Sequence, residues 1–326
     1  MKLLLTGADG FIARNVLVAL RERMGFVILP VTRATDESTM KGLVAQADAV
    51  VHLAGVNRPL DPNEFIIGNQ DLTARLCAWL ADTGRAVPIS FASSTQVHCD
   101  NAYGQSKRAA EAHLLAYAET TGAPVALYRL PNVFGKWCRP NYNSAVATFC
   151  HNIARGLPVR IDDPAAMVRL IYIDDVVAEL LRWLDAPEAR AGFPDVAPVY
   201  TIMVSELVEQ IRAFGRVRDN LISESVGTGL VRALYATYIS YLPVEAFSYR
   251  VPIHGDARGA FVEMLKTKDS GQFSCFTAHP GITRGGHYHH TKTEKFLVVK
   301  GEARFRFRHI LTDETRIIDT HGDEPT

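Results

Sequence analysis

The chain has 326 residues, 48% of them hydrophobic, enough for two domains with sizeable cores, which excludes an intrinsically disordered chain. Lysine plus arginine and aspartate plus glutamate number 35 each, and no basic run breaks that balance, so a nucleic-acid partner is not expected. The five cysteines are odd in number and form no CxxC pair, and no stretch reaches the roughly 20 apolar residues of a membrane helix, so a disulfide framework and a membrane span are both excluded and a cytoplasmic setting is expected.

In chain order, residues 3–5 form a short apolar run of strand type, and residues 11–23 carry helical periodicity. The run from Met1 to Gly10 therefore reads as a first strand and its turn, without the pattern of a signal peptide. Residues 26–31, 49–53, 88–91 and 125–130 are further apolar runs of strand length, and 64–82 and 103–120 read as long helices. This alternation predicts a parallel sheet covered by helices on both faces. The interval between Val31 and Ala49 has room for one helix but hardly for a strand–helix pair, so one strand of the usual doubly wound order is expected to be missing or vestigial. Residues 141–240 read as a mostly helical lobe, clearest at 173–184 and 205–214. Beyond a change of texture near residue 246, short alternating segments at 273–278, 295–299 and 303–307, punctuated by glycine, predict antiparallel β structure. The expected organisation is an α/β Rossmann-type domain with its substrate lobe over 1–245 and a β domain over 246–326.

The turn Thr6-Gly7-Ala8-Asp9-Gly10-Phe11-Ile12-Ala13 follows the first strand and opens the first helix. Glycine at 7 and 10 allows a tight turn and a close approach to a pyrophosphate, and the helix start offers N–H groups to it. The cofactor contacts expected there are Gly7, Asp9, Gly10, Phe11 and Ile12. The second strand ends Val31-Thr32-Arg33, without the acid that would bond an NAD ribose; Arg33 is the candidate partner of a 2′-phosphate, which favours NADP(H). Tyr103 and Lys107 stand four apart on a helix, hence on one face. An ammonium beside a phenol is expected to lower the phenol pKa and make it a proton donor or acceptor for a sugar oxygen. Upstream, Ser93-Ser94-Thr95 closes a predicted strand, where a hydroxyl can hold a substrate carbonyl facing Tyr103.

These residues resemble the extended short-chain dehydrogenases/reductases. The resemblance covers about residues 1–245 and includes Val51-His52-Leu53-Ala54-Gly55, Asn69, the run from Arg129 to Gly135 and Arg169-Leu170-Ile171-Tyr172-Ile173-Asp174-Asp175-Val176. It implies Ser94 as the carbonyl-polarising hydroxyl (Ser93 or Thr95 if the register is off by one), Tyr103 as general acid and Lys107 as its partner. It also implies Leu53, Ala54, Gly55, Asn69 and Lys107 at the cofactor, and Asn132 at the substrate.

In the second domain, Gly281-x5-His287-x-His289-x4-Glu294-x6-Gly301 matches the first cupin motif, and Asp256-x-Arg258-Gly259-x-Phe261-x-Glu263 resembles the opening of cupin epimerases of 4-keto nucleotide sugars. His287, His289 and Glu294 are the candidate ligands of one divalent ion, zinc in the first instance, and Arg258 a candidate substrate contact. No second cupin motif follows Gly301, so the expectation is a partial barrel, C-terminally incomplete, with weak metal binding and impaired epimerisation. A reductase followed by a cupin resembles the bifunctional enzymes of capsular and O-antigen polysaccharide synthesis. The stretches from Phe134 to Ser144 and from His287 to Val299 carry that likeness. It implies NADPH-dependent reduction of the C4 ketone of UDP-2-acetamido-2,6-dideoxy-β-L-arabino-hexos-4-ulose, with C3 epimerisation by the cupin. Asn141, Tyr142 and Asn143 are candidate contacts to the UDP-sugar, and the helices 64–82 and 103–120 are candidates for a homodimer bundle. The alternative functions are an epimerase or dehydratase with tightly bound NAD, and a non-catalytic NADP-binding module.

Overall fold

Strands apolar on both faces are satisfied only inside a sheet covered from both sides. The computed structural model, which describes residues 1–324, forms such a sheet from the first part of the chain. In order come β1 (Lys2–Thr6), α1 (Phe11–Arg21), β2 (Val27–Val31), α2 (Glu37–Val44) and β3 (Ala49–His52). Then follow α3 (Asn63–Phe65), a π-helical stretch Ile66–Asp71, α4 (Leu72–Ala81), β4 (Ile89–Ser94), a 3₁₀ turn Thr95–His98, α5 (Ala102–Thr121) and β5 (Val125–Leu130). The strands are parallel in the order β2-β1-β3-β4-β5. Period-2 alternation divides β1 between two cores. Leu4 packs with Val44, Leu76, Phe91 and Leu114, whereas Leu3 and Leu5 pack with Val16, Val51, Tyr128 and Trp183.

The interval between β2 and β3 holds α2 alone, so β3 pairs directly with β1 and β2 becomes an edge strand, with Pro30 in it. At the other edge Gly192 pairs with β5: its N–H donates to Val125 O at 2.7 Å and its carbonyl accepts from Leu127 N at 2.8 Å.

The lobe contains more strand than its sequence announces. β6 (Asn132–Phe134), β7 (Met167–Tyr172) and β8 (Val199–Met203) form a mixed sheet in the order β6-β7-β8, with β6–β7 parallel and β7–β8 antiparallel. These strands are short and partly exposed, Met167 at 58%, and the one apolar run among them, Leu170 to Tyr172, continues into the helix that follows. Around them stand α6 (Ala145–Ala154), α7 (Ile173–Asp185), α8 (Val204–Asn220) and α9 (Gly229–Ser240), after β9 (Ile222–Ser223) in the last case. Phe134, Phe149, Leu207, Ile211, Phe214 and Leu234 are the centre of the lobe core.

β10 (Ile253–Asp256), β11 (Gly259–Thr267) and β12 (Gln272–Phe276) form a further sheet in which β9 also pairs with β11, and β13 (Glu302–Arg308) pairs antiparallel with β14 (Thr315–His321). The chain divides into two compact units: Met1–Gly255 with Ala260–Phe276, and Asp256–Gly259 with the residues from Thr277 onward. The β11–β12 hairpin thus belongs mostly to the first unit, although the texture of the sequence changes near residue 246. Residues 295–299, expected as a strand, are irregular: Leu297 and Val299 are exposed at 63% and 78% and find no sheet to enter. Among the described residues no helix is long and apolar enough to cross a membrane, and none of the five cysteines is disulfide-bonded.

Candidate active site

In open parallel sheets, ligands bind beyond the carboxyl ends of the strands. Here β1, β3 and β4 end in Thr6, His52 and Ser94, and the candidate residues follow them. Gly7 has φ +66, a conformation L side chains avoid, and a Cβ on it would stand 2.8 Å from Ala54 N. The turn therefore lies directly on the segment after β3, and Leu53, Ala54 and Gly55 flank it. Gly10 is the N-cap of α1 and has no side chain to bond the first-turn N–H groups, which leaves the positive end of the helix for an anion. Ala8 N donates to Val31 O at 3.0 Å, which fixes the end of β2 beside the turn; Arg33, two residues later, is exposed. The residues present fit a dinucleotide: a glycine cradle, an uncapped helix start and an arginine beyond β2.

Tyr103 opens the second position of α5, whose N-cap Asn101 accepts from Gly104 N at 2.8 Å. A Cβ on Gly104 would collide with Gln96 O at 2.2 Å, so only glycine lets α5 lie against the 3₁₀ turn that follows Ser94. In that arrangement the Ser94 hydroxyl lies beside the Tyr103 phenol and accepts from Gln96 N at 3.2 Å. Ser93 points elsewhere, donating to the buried Glu111 carboxylate at 2.5 Å, and Thr95 begins the 3₁₀ turn. Lys107 is buried; its ammonium donates to Ala92 O at 2.9 Å and lies 4.5 Å from the centre of the Phe91 ring. A Cβ on Gly55 would stand 2.9 Å from Asn69 Oδ1 and 3.3 Å from Lys107 Nζ, so the lysine and the loop after β3 share one spot.

The electrostatics depart from expectation. Burial pushes the Tyr103 phenol up, and the Ser94 hydroxyl beside it offsets this in part. The expected lowering of the phenol by Lys107 does not occur: burial dominates at Tyr103, and burial also lowers Lys107 itself to about 8, against an opposing pull from Glu111.

Behind these side chains runs a hydrogen-bonded set that sequence reasoning did not assign. Thr6 Oγ1 accepts from both Leu53 N and Ala54 N at 3.1 Å, so its own hydrogen points to His52 Nδ1, 2.6 Å away. His52 Nε2–H then donates to Thr73 Oγ1 at 2.9 Å, and Thr73 donates to Asn69 O at 2.6 Å. The ring is therefore neutral, and burial followed by the Lys107 charge lowers its pKa to about 3. Asn69, in the π-helical stretch, accepts from Val56 N at 2.8 Å and donates to Val56 O and Ser106 Oγ, both at 3.0 Å; Ser106 in turn donates to Tyr103 O at 2.8 Å. The cofactor turn and the backbone of Tyr103 are thus tied by one chain of bonds. Its sequence signal was faint: a threonine before the glycine turn and a serine between Tyr103 and Lys107.

The remaining substrate candidates lie apart in the chain. Asn132 begins β6 and donates to Arg169 O at 3.0 Å. Asn141, at φ +55, Tyr142 and Asn143 occupy the loop before α6, where the Arg139 guanidinium lies 5.5 Å from the Tyr142 ring centre. In the second unit Arg258 is held by the Asp256 carboxylate at 2.5 and 2.9 Å, and this pair brings Asp256 down to about 2. The ligand atoms of His287, His289 and Glu294 all lie within 4.8 Å of one another. Two imidazoles and a carboxylate that close are a donor set suited to one divalent ion with an open position. Lys292 Nζ sits 2.6 Å from Glu294 Oε1 and holds that carboxyl below the usual range.

The chain is similar to known proteins over both of its parts. The NAD dependent epimerase/dehydratase family model matches residues 3–196, and a polysaccharide biosynthesis C-terminal domain model matches 254–326. A UDP-2-acetamido-2,6-beta-L-arabino-hexul-4-ose reductase of Pseudomonas aeruginosa is 55% identical over 324 residues, 99% of this chain and 87% of that one. The crystal structure of the capsular polysaccharide assembling protein CapF from Staphylococcus aureus superposes with a TM-score of 0.92 at 40% identity, covering 100% of this chain and 89% of that one. The UDP-glucuronic acid 4-epimerase of Bacillus cereus in complex with NAD, at 16% identity and a TM-score of 0.63 over 74% of this chain and 98% of that one, shares the fold. Glycine turn, strand-end hydroxyl and Tyr–Lys helix together with the match over 3–196 establish that the chain belongs to the NAD dependent epimerase/dehydratase family.

Proposed function

We propose that this chain reduces the C4 ketone of UDP-2-acetamido-2,6-dideoxy-β-L-arabino-hexos-4-ulose with NADPH, in the supply of a polysaccharide precursor. The observation that carries the reading is the Tyr103 phenol beside Ser94, one helical turn from a buried Lys107 beside Gly55. The 55% identity to a reductase of that keto sugar supports the substrate class. A reduced nicotinamide supplies hydride to C4 when bound. The protein's residues do the rest: Ser94 bonds the ketone oxygen, and Tyr103 gives that oxygen its proton as the carbonyl becomes an alkoxide, leaving an alcohol and a phenolate. Lys107 stabilises the phenolate by its charge and holds the nicotinamide ribose. Arg33 takes the 2′-phosphate. Asn132, Asn141, Tyr142 and Asn143 hold the UDP-sugar.

In the second unit His287, His289 and Glu294 would hold a divalent ion, which would supply Lewis acidity next to a ketone. Together with Arg258 they support a C3 epimerisation, in which the proton beside the ketone leaves one face and returns to the other.

The test is purified protein with NADPH and a panel of UDP- and dTDP-linked 4-keto sugars. Stoichiometric NADPH oxidation by the UDP-2-acetamido substrate is the expected result. Sugar conversion without net cofactor oxidation assigns an epimerase or dehydratase with tightly bound NAD, and NADPH binding without turnover of any ketone assigns a binding module.

A further inference from the structure

The catalytic helix carries a third polar residue at the same spacing. Glu111 follows Lys107 by four, as Lys107 follows Tyr103, so all three lie on one face of α5. Its carboxylate is 3% exposed and accepts from Ser93 Oγ at 2.5 Å, Arg129 Nε at 3.0 Å and Arg129 Nη2 at 2.6 Å. Two successive residues of β4 are thereby fastened to α5, Ala92 by Lys107 and Ser93 by Glu111, and the next, Ser94, lies beside Tyr103. Resting on the reductase reading above, we infer that Glu111 is a positioning residue: bonded to Ser93 on β4 and to Arg129 on β5, it sets the register of α5 on the sheet and places a carboxylate one helical turn from the Lys107 ammonium.

The groups around Lys107 support this placement. From β4 it meets a ring and a carbonyl, from β3 the neutral His52, from the loop after β3 Gly55 with Asn69, and from α5 Tyr103 and Glu111. Glu111 is the anion of that set, and Arg129 on β5 reaches it through a salt bridge. A buried ammonium with no anion nearby loses its proton readily. Without Glu111, Lys107 would be neutral at a pH where the reductase needs it charged, and activity would fall at the alkaline side first.

The test is the pH profile of NADPH-dependent reduction by Glu111→Gln, Glu111→Asp and Arg129→Gln. Glu111→Gln is expected to move the alkaline limb down by about one pH unit or more, with kcat falling about tenfold at the wild-type midpoint and the KM for NADPH little changed. Glu111→Asp should return the limb most of the way. Arg129→Gln should move it up, because the carboxylate then acts on Lys107 unshared. A limb that stays in place in Glu111→Gln while kcat drops evenly overturns the inference, as does a downward shift in Arg129→Gln. If Glu111→Gln does not fold, the direction of the Arg129→Gln shift decides alone. Labelling of the Lys107 amine as a function of pH, mapped by mass spectrometry without substrate, reads the same shifts, so absence of ketone reduction in the wild type counts against the reductase reading and not against Glu111.

Discussion

The two clusters of chemical groups in this chain are built in opposite ways. In the first unit Ser94, Lys107 and Asn69 are at most 9% exposed, and each is bonded to the scaffold of strands and helices. In the second unit the His289 and Glu294 side chains are about a third exposed, at 32% and 31%, and they sit in an irregular stretch. A buried site is organised by folding before any ligand arrives. A cluster on irregular backbone depends on the ligand to complete its order. The same residue types therefore call for different tests.

The comparison is broken most forcefully at Tyr103. Tyr103→Phe removes the proton donor but no scaffold bond of its backbone, so reduction should fall by about 10²–10⁴-fold while NADPH titration stays near wild type. Near-normal turnover would show that the buried site is not the reacting one. The next effect concerns stability. His52 is held neutral with its pKa lowered from 6.5 to about 3, so the folded state refuses a proton that the unfolded chain accepts. Its stabilising contribution is complete above 6.5 and is lost as pH falls from there toward about 3. Unfolding free energies from denaturant titrations between pH 6.5 and 5, before carboxylates titrate, should fall with a slope of up to about 1.4 kcal/mol per pH unit, and His52→Gln should flatten that slope. Arg33→Ala should weaken NADPH binding by about tenfold and leave NADH binding unchanged, as calorimetry of both cofactors would reveal. Equal losses for the two would remove the 2′-phosphate assignment. The smallest effect belongs to the exposed cluster. His287→Ala should abolish any metal content measured by atomic emission, yet leave NADPH-dependent reduction of a ready-made 4-keto substrate within about twofold of wild type. A large loss of reduction would mean that the two clusters are coupled.

The parallel sheet was legible because its strands are apolar on both faces, a pattern that survives without knowledge of partners. Gly7, Ser94, Tyr103 and Lys107 were legible because local geometry dictates them: a positive φ, a strand end, a spacing of four. The β6–β7–β8 sheet was not, since Arg169 interrupts Met167–Tyr172, Met167 is exposed, and the apolar run from Leu170 continues straight into the helix that begins at Ile173. Residues 295–299 misled for the complementary reason, reading as an apolar strand while Leu297 and Val299 stay open to solvent. Thr6, His52, Thr73, Ser106 and Glu111 were missed because their roles exist only between elements far apart in sequence. Thr6 and His52 are 46 residues apart and Glu111 and Arg129 18 apart, and spacing rules reach little beyond two helical turns. The phenol pKa was misjudged for a related reason: spacing shows the neighbouring charge, and only packing shows how much water is lost.

The dropped strand has a cost outside catalysis. With no third strand beyond it, β2 ends the sheet in solvent, a template on which another chain could add a strand. Pro30 lacks the N–H such pairing needs, and at the opposite side Gly192 occupies the hydrogen-bonding positions of β5. Replacing Pro30 by a β-branched residue would restore a continuous row of donors there, and the foreseeable damage is self-association during expression rather than any loss of chemistry.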